Sequence, residues 1–468
     1  MRVLVVASNR YKGTVTSFPN GASYMAGAAA ESGHQVEVFD CLFAGDLKSE
    51  LTSRIERFRP DVTAVSIQFV HAVRTSAEPV LKASQLDLRE GVREVTDCIK
   101  RASSSPIVLG GPGFNYFGPE WLERLDLDYG IRGEAERTFP AYLERLEAGA
   151  DTSVIPGCVY RDEDRFLQVP RQPPDALDTT AFPVFEPFDL GAYRDCGTYP
   201  GISTKRGCRF RCTHCPYSGL EGTRYRLKSP ARVVDEVERA LESGDTNSVH
   251  FCDNLFNFPR EHAESICREL IARDIDLEWS TGLTPLGVTE DFCRLLKAAG
   301  CVTGYLDVEF ASDKMLRRMH RGYRTRQIRE AIDNLDKVGI PFAATLLLGG
   351  PGETPETIAG AMDLVNAPPR PRFITVSIGI AMWTNHQRIV DYARKEGQLT
   401  GDGEFFEGAF YLSPELPRDF MQEFVEKLDA QENCARYHIN KASWDEVITM
   451  VPWESYDVST DTIMGLHL

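Results

Sequence analysis

No stretch of the 468 residues approaches 18 uninterrupted apolar side chains, so a membrane-spanning helix is not expected. The opening MRVLVVASNRYKG is too short and too soon polar for a signal peptide. It reads as a buried first strand, and the protein is expected in the cytoplasm. Basic residues are in deficit, with 52 Lys and Arg against 69 Asp and Glu and a net charge of −17. Phosphate contacts need a basic face, so neither nucleic acid nor an anionic membrane is expected as a partner. The acidic balance suits a cationic substrate, and it suits plain solubility as well. No G-x-G-x-x-G follows the first strand, which argues against a nicotinamide cofactor there. Twelve cysteines in a chain of this length do not form a disulfide framework, and nine of them, mostly in apolar or helical settings, are expected to be core residues.

The other three are Cys208, Cys212 and Cys215, in GISTKRGCRFRCTHCPYS (201–218). Three thiolates this close on one loop can each take one iron of a cubane cluster and leave the fourth iron open. An open metal position is a catalytic one, whereas a structural site is normally closed by four ligands. Lys205, Arg206, Arg209 and Arg211 flank the cysteines, and their charge is expected to favour thiolate and offset a cluster's negative charge. The apolar run before the loop places it just after a strand, where α/β folds carry their chemistry. Zinc, with His214 or a remote cysteine as fourth ligand, is the alternative. Zinc sites usually add a second C-x2-C or H-x3-H, and none is present.

The C-x3-C-x2-C loop after a strand resembles the signature of radical S-adenosylmethionine (radical SAM) enzymes. The resemblance implies that Cys208, Cys212 and Cys215 hold a [4Fe-4S] cluster whose open iron is chelated by the amino and carboxylate groups of S-adenosyl-L-methionine. One electron from the cluster then cleaves SAM to methionine and a 5′-deoxyadenosyl radical. His214 stands where the family usually has an aromatic residue, and its imidazole would stack on adenine.

Residues 1–145 alternate strands and helices. Near-unbroken apolar strands fall at 3–8, 34–40, 61–69 and 105–113, residues 128–139 give a short fifth strand running into a helix, and a long helix is expected over 75–103. This pattern predicts a doubly wound parallel sheet, with ligands beyond the carboxyl ends of its strands. PNGASYMAGAAAESGHQVEVFD, IVLGGPGFNYFGPEWL and IRGEAERTF resemble the N-terminal cobalamin-binding-type domain of one large group of radical SAM enzymes. The D-x-H-x-x-G of other cobalamin proteins is absent, and His34 and His71 lack its flanking residues. The domain either binds cobalamin without a histidine ligand or keeps the fold alone. Residues 146–199, with a small hairpin at 155–166 and a proline-rich run, read as an ordered connector.

Six strands are expected between 200 and 385, at 200–206, 248–257, 277–288, 301–312, 340–354 and 372–383. The resemblance implies a (β/α)6 partial TIM barrel with the active site at its carboxyl face. On it, Glu309 is the candidate for contacting SAM, and Gly349, Gly350, Pro351, Gly352 and Glu353 form a turn approaching the cofactor. Asp253, Asp307 and Glu309 are the candidate catalytic carboxylates, with Asn254, Thr281, Thr284 and Trp383 at other strand ends. Residues 386–468 are expected to cap the barrel, with Trp444 and Trp453 in the tail.

The expected protein is therefore a radical SAM enzyme acting on a small molecule, reduced by a flavodoxin- or ferredoxin-type donor. The three carboxylates and the compact layout resemble the radical SAM diol-dehydratase of apramycin-type aminoglycoside biosynthesis. That resemblance implies dehydration of an amino sugar such as paromamine, with a nicotinamide-dependent reductase as partner. The alternatives are a cobalamin-dependent C-methyltransferase or ring-rearranging enzyme and, from another class, a zinc-binding or redox-sensing protein without turnover.

Overall fold

Apolar runs without alternation predict strands buried on both faces, and the computed structural model forms such strands at the centre of each of two sheets. It describes residues 1–10, 17–68, 71–73, 85–244, 246–383, 387–399, 404–407, 409–429 and 434–439. The first sheet runs in the order Gln35–Asp40, Arg2–Ala7, Val62–Ser66, Ile107–Gly110, Tyr129–Ile131, Cys158–Asp162, Arg165–Gln168. Its first five strands are parallel. Val3 to Val6, Val62, Ala64 and Val65 are fully buried, because helices cover both faces. Asn20–Glu31 packs with Ala135–Glu147, and Leu47–Phe58 with Arg89–Ala102.

Two expectations need correcting here. The hairpin Cys158–Asp162 and Arg165–Gln168 is not part of a free connector. It pairs antiparallel with Tyr129–Ile131 and extends the first sheet, satisfying an edge that would otherwise be open. The helix expected over 75–103 is shorter, at Arg89–Ala102, while His71–Val73 pairs antiparallel with Gln85–Asp87. Residues 75–84 of the expected span lie outside the described residues.

The second sheet runs Gly201–Ile202, Ser248–Phe251, Glu278–Leu283, Cys301–Glu309, Phe342–Leu348, Phe373–Ile378, Cys434–Ile439, all parallel. Its two ends are not paired with each other, so it is a partial barrel. Six strands are those expected; the seventh comes from the region expected only as a cap. The crossover helices begin on sound signals: Ser229 caps Pro230–Glu242, with Pro230 in the first turn, and Thr289 caps Glu290–Ala298. No helix among the described residues is long and apolar enough to cross a membrane.

The two sheets are held in one arrangement by the connector and by buried charge. A Cβ on Gly27 would lie 1.9 Å from the Phe182 carbonyl oxygen, so only glycine lets the connector cross the first helix this closely. Phe185, Phe188 and Tyr193 of the connector are buried in the shared core. Tyr24 Oη of the first domain donates to Glu236 Oε2 at 2.7 Å, where Lys228 Nζ (2.6 Å) and Arg232 Nε (2.9 Å, to Oε1) also converge. Arg206 and Arg226 of the barrel pair with Glu136 and Glu134 of the first domain.

Candidate functional site

The three cysteines follow a short strand, Lys205–Arg206, which pairs with Arg226–Leu227. Both ends of their loop are fixed by hydrogen bonds. Asp253, at the end of Ser248–Phe251, accepts from Thr204 N at 2.8 Å and from Lys205 Nζ at 2.7 Å. Gly207 N donates to Glu221 Oε2 at 3.0 Å, and Cys208 N to the Gly222 carbonyl at 3.0 Å. The helix Tyr217–Glu221 after the last cysteine has its carbonyls held by Arg171 of the connector, at 2.6 and 2.7 Å. In mid-loop, Thr213 N donates to the Met319 carbonyl at 3.0 Å.

Cys208 is buried, and Cys212 and Cys215 are half-buried. Burial pushes the free thiols up, Cys212 to about 11 and Cys215 to about 12. The flanking cations do not oppose this as expected. Lys205 is paired with Asp253 and Arg206 with Glu136 and Glu134, while Arg209 and Arg211 lie at the surface. The cation that reaches a thiol is Arg321, whose Nη1 donates to Cys212 Sγ at 3.0 Å. Sequence reasoning passed over it, since it is one of six Lys and Arg within 313–326.

Arg321 also joins the candidate carboxylates to the loop. Its Nε lies 3.2 Å from Glu309 Oε2 and its Nη2 3.7 Å from Asp307 Oδ2. His214 Nε2 lies 3.5 Å from Glu309 Oε1, so two residues singled out separately are brought together. Glu309 sits at φ 52°, where the pairing of Cys301–Glu309 with Phe342–Leu348 shifts register. A non-glycine residue in the left-handed region beside a bulge is a strained device for re-aiming a side chain, and such devices cluster at functional sites. Burial raises both carboxyls, and Glu309's charge raises Asp307 further. Arg321, nearer to Glu309, together with His214 takes Glu309 below the usual carboxylate range. Of the two, Asp307 is the one that takes up a proton first as the pH falls.

The Gly349–Glu353 turn is braced from within. Gly349 N and Gly350 N donate to Glu353 Oε2 at 2.5 and 3.0 Å, and burial pushes that carboxyl up to about 8. Ser413 N donates to the Gly349 carbonyl at 2.8 Å. Gly349 and Gly352 have φ of 93° and 71°, and a Cβ on Gly352 would lie 2.3 Å from Arg318 Nη1. Glu353 is thus taken up in holding the backbone of the turn in shape.

Asp253 differs from its expected role. Its side chain is 1% exposed and its oxygens are committed to Thr204 and Lys205, so it braces the loop and is not free to meet a substrate. Thr281 donates to the Phe251 carbonyl, and Thr284 N is held by Asn257. Asn254 Nδ2 donates to Glu221 at 3.2 Å. Trp383 meets Tyr116 of the first domain with ring centroids 5.7 Å apart. Trp444 and Trp453 lie outside the described residues, as does the side chain of His71. His34 lies near the N-terminal amine, at the amino end of the first sheet.

A cavity of 380 Å³ opens where the carboxyl ends of the first sheet face the cysteine loop. Asn20, Ser66, Gly110 and Gly111 line it from one side, and Cys208, Tyr217, Glu221 and Cys252 from the other. Along the strand ends the first wall is serine and glycine, which leaves room for a ligand to approach the backbone, while Tyr24, Met25, Ile131 and Phe139 also line it. The loop fits a cubane, since each thiolate of such a cluster takes a different iron. Among the described residues no three Cys, His, Asp or Glu side chains converge on one point, as a single ion would require.

Comparison with known proteins agrees with this layout. Residues 202–365 match the model of the Radical SAM superfamily, and residues 12–143 match that of the B12 binding domain. An uncharacterized methyltransferase of Pyrococcus horikoshii is 27% identical over 368 residues, 76% of each chain. The tryptophan 2-C-methyltransferase of Streptomyces laurentii is 24% identical over 412 residues, 74% of this chain and 67% of that one. The structure of the radical S-adenosylmethionine methyltransferase TsrM from Kitasatospora setae, with tryptophan substrate and a SAM analogue bound, superposes with a TM-score of 0.76. It is 23% identical and covers 92% of this chain and 89% of that one. The chain thus carries a B12 binding domain followed by a Radical SAM domain, and the cofactors of these domains are cobalamin and a [4Fe-4S] cluster with SAM.

Proposed function

We propose that the chain is a cobalamin-dependent radical SAM methyltransferase acting on a small molecule. One observation carries the reading: the cavity where the strand ends of the B12 binding domain face the three-cysteine loop. When bound, cluster, SAM and cobalamin supply the one-electron chemistry and the methyl group. The chain's residues position and shield them. Cys208, Cys212 and Cys215 hold the cluster. His214, Glu309 and the backbone of Gly349, Gly350, Pro351 and Gly352 border SAM. Arg321 keeps Glu309 charged beside the loop, so its carboxylate can accept hydrogen bonds from hydroxyl or amino groups. Tyr116 and Trp383 close the barrel mouth from both domains and keep water from the reacting atoms.

Dehydration of paromamine rested on three carboxylates for an ammonium substrate. Asp253 is paired with Lys205, and Asp307 and Glu309 share Arg321. Three free carboxylates for the ammonium groups of an amino sugar are therefore not present: Asp253 is taken, and Asp307 and Glu309 have one cation between them. The names of the relatives support methyl transfer. A zinc protein is disfavoured because, among the described residues, no three Cys, His, Asp or Glu side chains converge as a single ion requires.

The test is anaerobic reconstitution with iron, sulfide and hydroxocobalamin, then incubation with SAM labelled in its methyl group, a reductant and a substrate panel containing indoles and paromamine. Transfer of the labelled methyl to any member supports the proposal. Loss of water from paromamine without methyl gain would replace it with dehydration. A colourless protein holding stoichiometric zinc would sink both.

A further inference from the structure

The chain is acidic, yet the two segments that build the outer wall of the cysteine loop are strongly basic. Residues 205–228 hold seven Lys and Arg against one Glu, and residues 313–326 hold six against one Asp. The buried members of this set are matched: Lys205, Arg206, Arg226, Lys228 and Arg321 each face a carboxylate. Arg209, Arg211, Arg224, Arg317 and Arg324 are exposed, and none makes an ion pair among the described residues. The lone Asp313 accepts from Thr325 N at 2.8 Å.

The two segments form one face. Thr213 N reaches the Met319 carbonyl, the Thr213 hydroxyl lies 3.0 Å from His320 Nδ1, and a Cβ on Gly322 would touch the Phe210 ring at 3.2 Å. These contacts tie the second segment to the loop that carries Cys208, Cys212 and Cys215. Exposed cations gathered on a protein of net charge −17 carry a local positive field that Asp313, beside Arg317 and Arg324, offsets only in part; the acidic remainder of the surface repels an acidic partner and steers it to this patch.

We propose that Arg209, Arg211, Arg224, Arg317 and Arg324 form the docking face for an acidic one-electron carrier protein of the flavodoxin or ferredoxin kind. The inference rests on the cluster reading above. The carrier's reduced flavin or iron–sulfur group gives one electron to the oxidised cluster and is itself oxidised by one electron; no bond or proton is exchanged. A carrier docked here lies against the segments that hold the cysteine loop, and electron transfer slows steeply with distance.

The experiment uses the full-length reconstituted protein and the double variant Arg317→Glu/Arg324→Glu, which lies outside the cysteine loop. Cluster reduction is followed by stopped-flow absorbance with reduced flavodoxin, and separately with reduced methyl viologen, a small cation. At low ionic strength the variant should lose about tenfold in the flavodoxin rate constant, with the gap closing at high salt. Its viologen rate and iron content should not fall. An unchanged flavodoxin rate overturns the proposal, as does an equal fall with both reductants. It is also overturned if the reversals spare flavodoxin but abolish binding to RNA or to phosphatidylglycerol vesicles, which would make the face a polyanion site. Failure of the wild-type protein to assemble a reducible cluster is a separate result, and it refutes the underlying function.

Discussion

Replacing Arg321 by methionine tests a contact at the site that the sequence did not disclose. The guanidinium is 7% exposed and lies 3.2 Å from Glu309 and 3.7 Å from Asp307. Methionine keeps most of the volume, so the cost is that of leaving two buried carboxylates without their cation. Removing one partner of a buried pair costs about 3–5 kcal/mol. Asp307 already sits well above the usual carboxylate range and can take up a proton, which places the cost near the lower end, about 3 kcal/mol. For a domain of this size each kcal/mol moves the midpoint by about 2–4 °C, so the barrel transition should fall by about 6–12 °C. Adding Glu309→Gln should recover part of that loss, since it removes the stranded charge. A second readout is independent of stability. Cys212 Sγ loses its 3.0 Å donor, so the reconstituted cluster should become harder to reduce while keeping its iron. Differential scanning calorimetry of single and double variants, with potentiometric titration of the cluster, measures both. A midpoint within 2 °C of wild type, or strictly additive variants, would show that the ion pair is not what holds Arg321 in place.

The remaining predictions use other parts of the molecule. Cys208→Ala, Cys212→Ala and Cys215→Ala should each lose cluster absorbance and SAM cleavage, whereas Cys293→Ala and Cys301→Ala should keep full iron content by colorimetric assay. Burial raises the Glu136 carboxyl, but Arg206 and Lys228 outweigh it and hold the group below its ordinary value. Its stabilising contribution is therefore present above the unfolded value and lost as pH falls through the lower folded one. Melting curves below about pH 4.5 should drop more steeply for wild type than for Glu136→Gln. Gly27→Ala forces a Cβ to within 1.9 Å of the Phe182 carbonyl, so the connector must shift, at about 1–3 kcal/mol. Faster proteolysis within residues 170–199 is the sign to look for, and wild-type resistance would contradict the close crossing.

What could be read from the sequence was whatever depended on local spacing. The cysteine loop, the buried strands and the strand-end position of Glu309 follow from patterns a few residues long. The side-chain partners do not. Asp253 was correctly placed at a strand end, but its oxygens go to Lys205, 48 residues earlier. Lys205 and Arg206 were next to the thiols in sequence and turn away from them in space, because carboxylates from Asp253 and from the first domain reach them first. The seventh barrel strand, CARYHI, contains Arg436 and His438 and lies beyond a helix, so nothing local separates it from a polar tail. Only the exposed edge of Phe373–Ile378 gives it a reason to be a strand.

The ion pairs between the domains bear on how the site keeps its shape. Buried pairs are a weak source of stability, because desolvating both partners offsets most of their attraction, and apolar replacements of like volume are often neutral or better. What a forked guanidinium on a carboxylate does provide is direction, since it is satisfied in one orientation while apolar surfaces can slide. Here the directions meet at the start of the cysteine loop. Lys205 is fixed by Asp253 of the barrel, and Arg206, its neighbour, by Glu136 and Glu134 of the other domain. Gly207 and Cys208 follow at once. The backbone entering the loop is therefore tied to both sheets through adjacent residues, so a shift of one domain against the other must displace the first cysteine or break a buried pair. The arrangement makes the spacing between the strand ends of the first sheet and the three thiols a property of the folded chain, set before any cofactor binds.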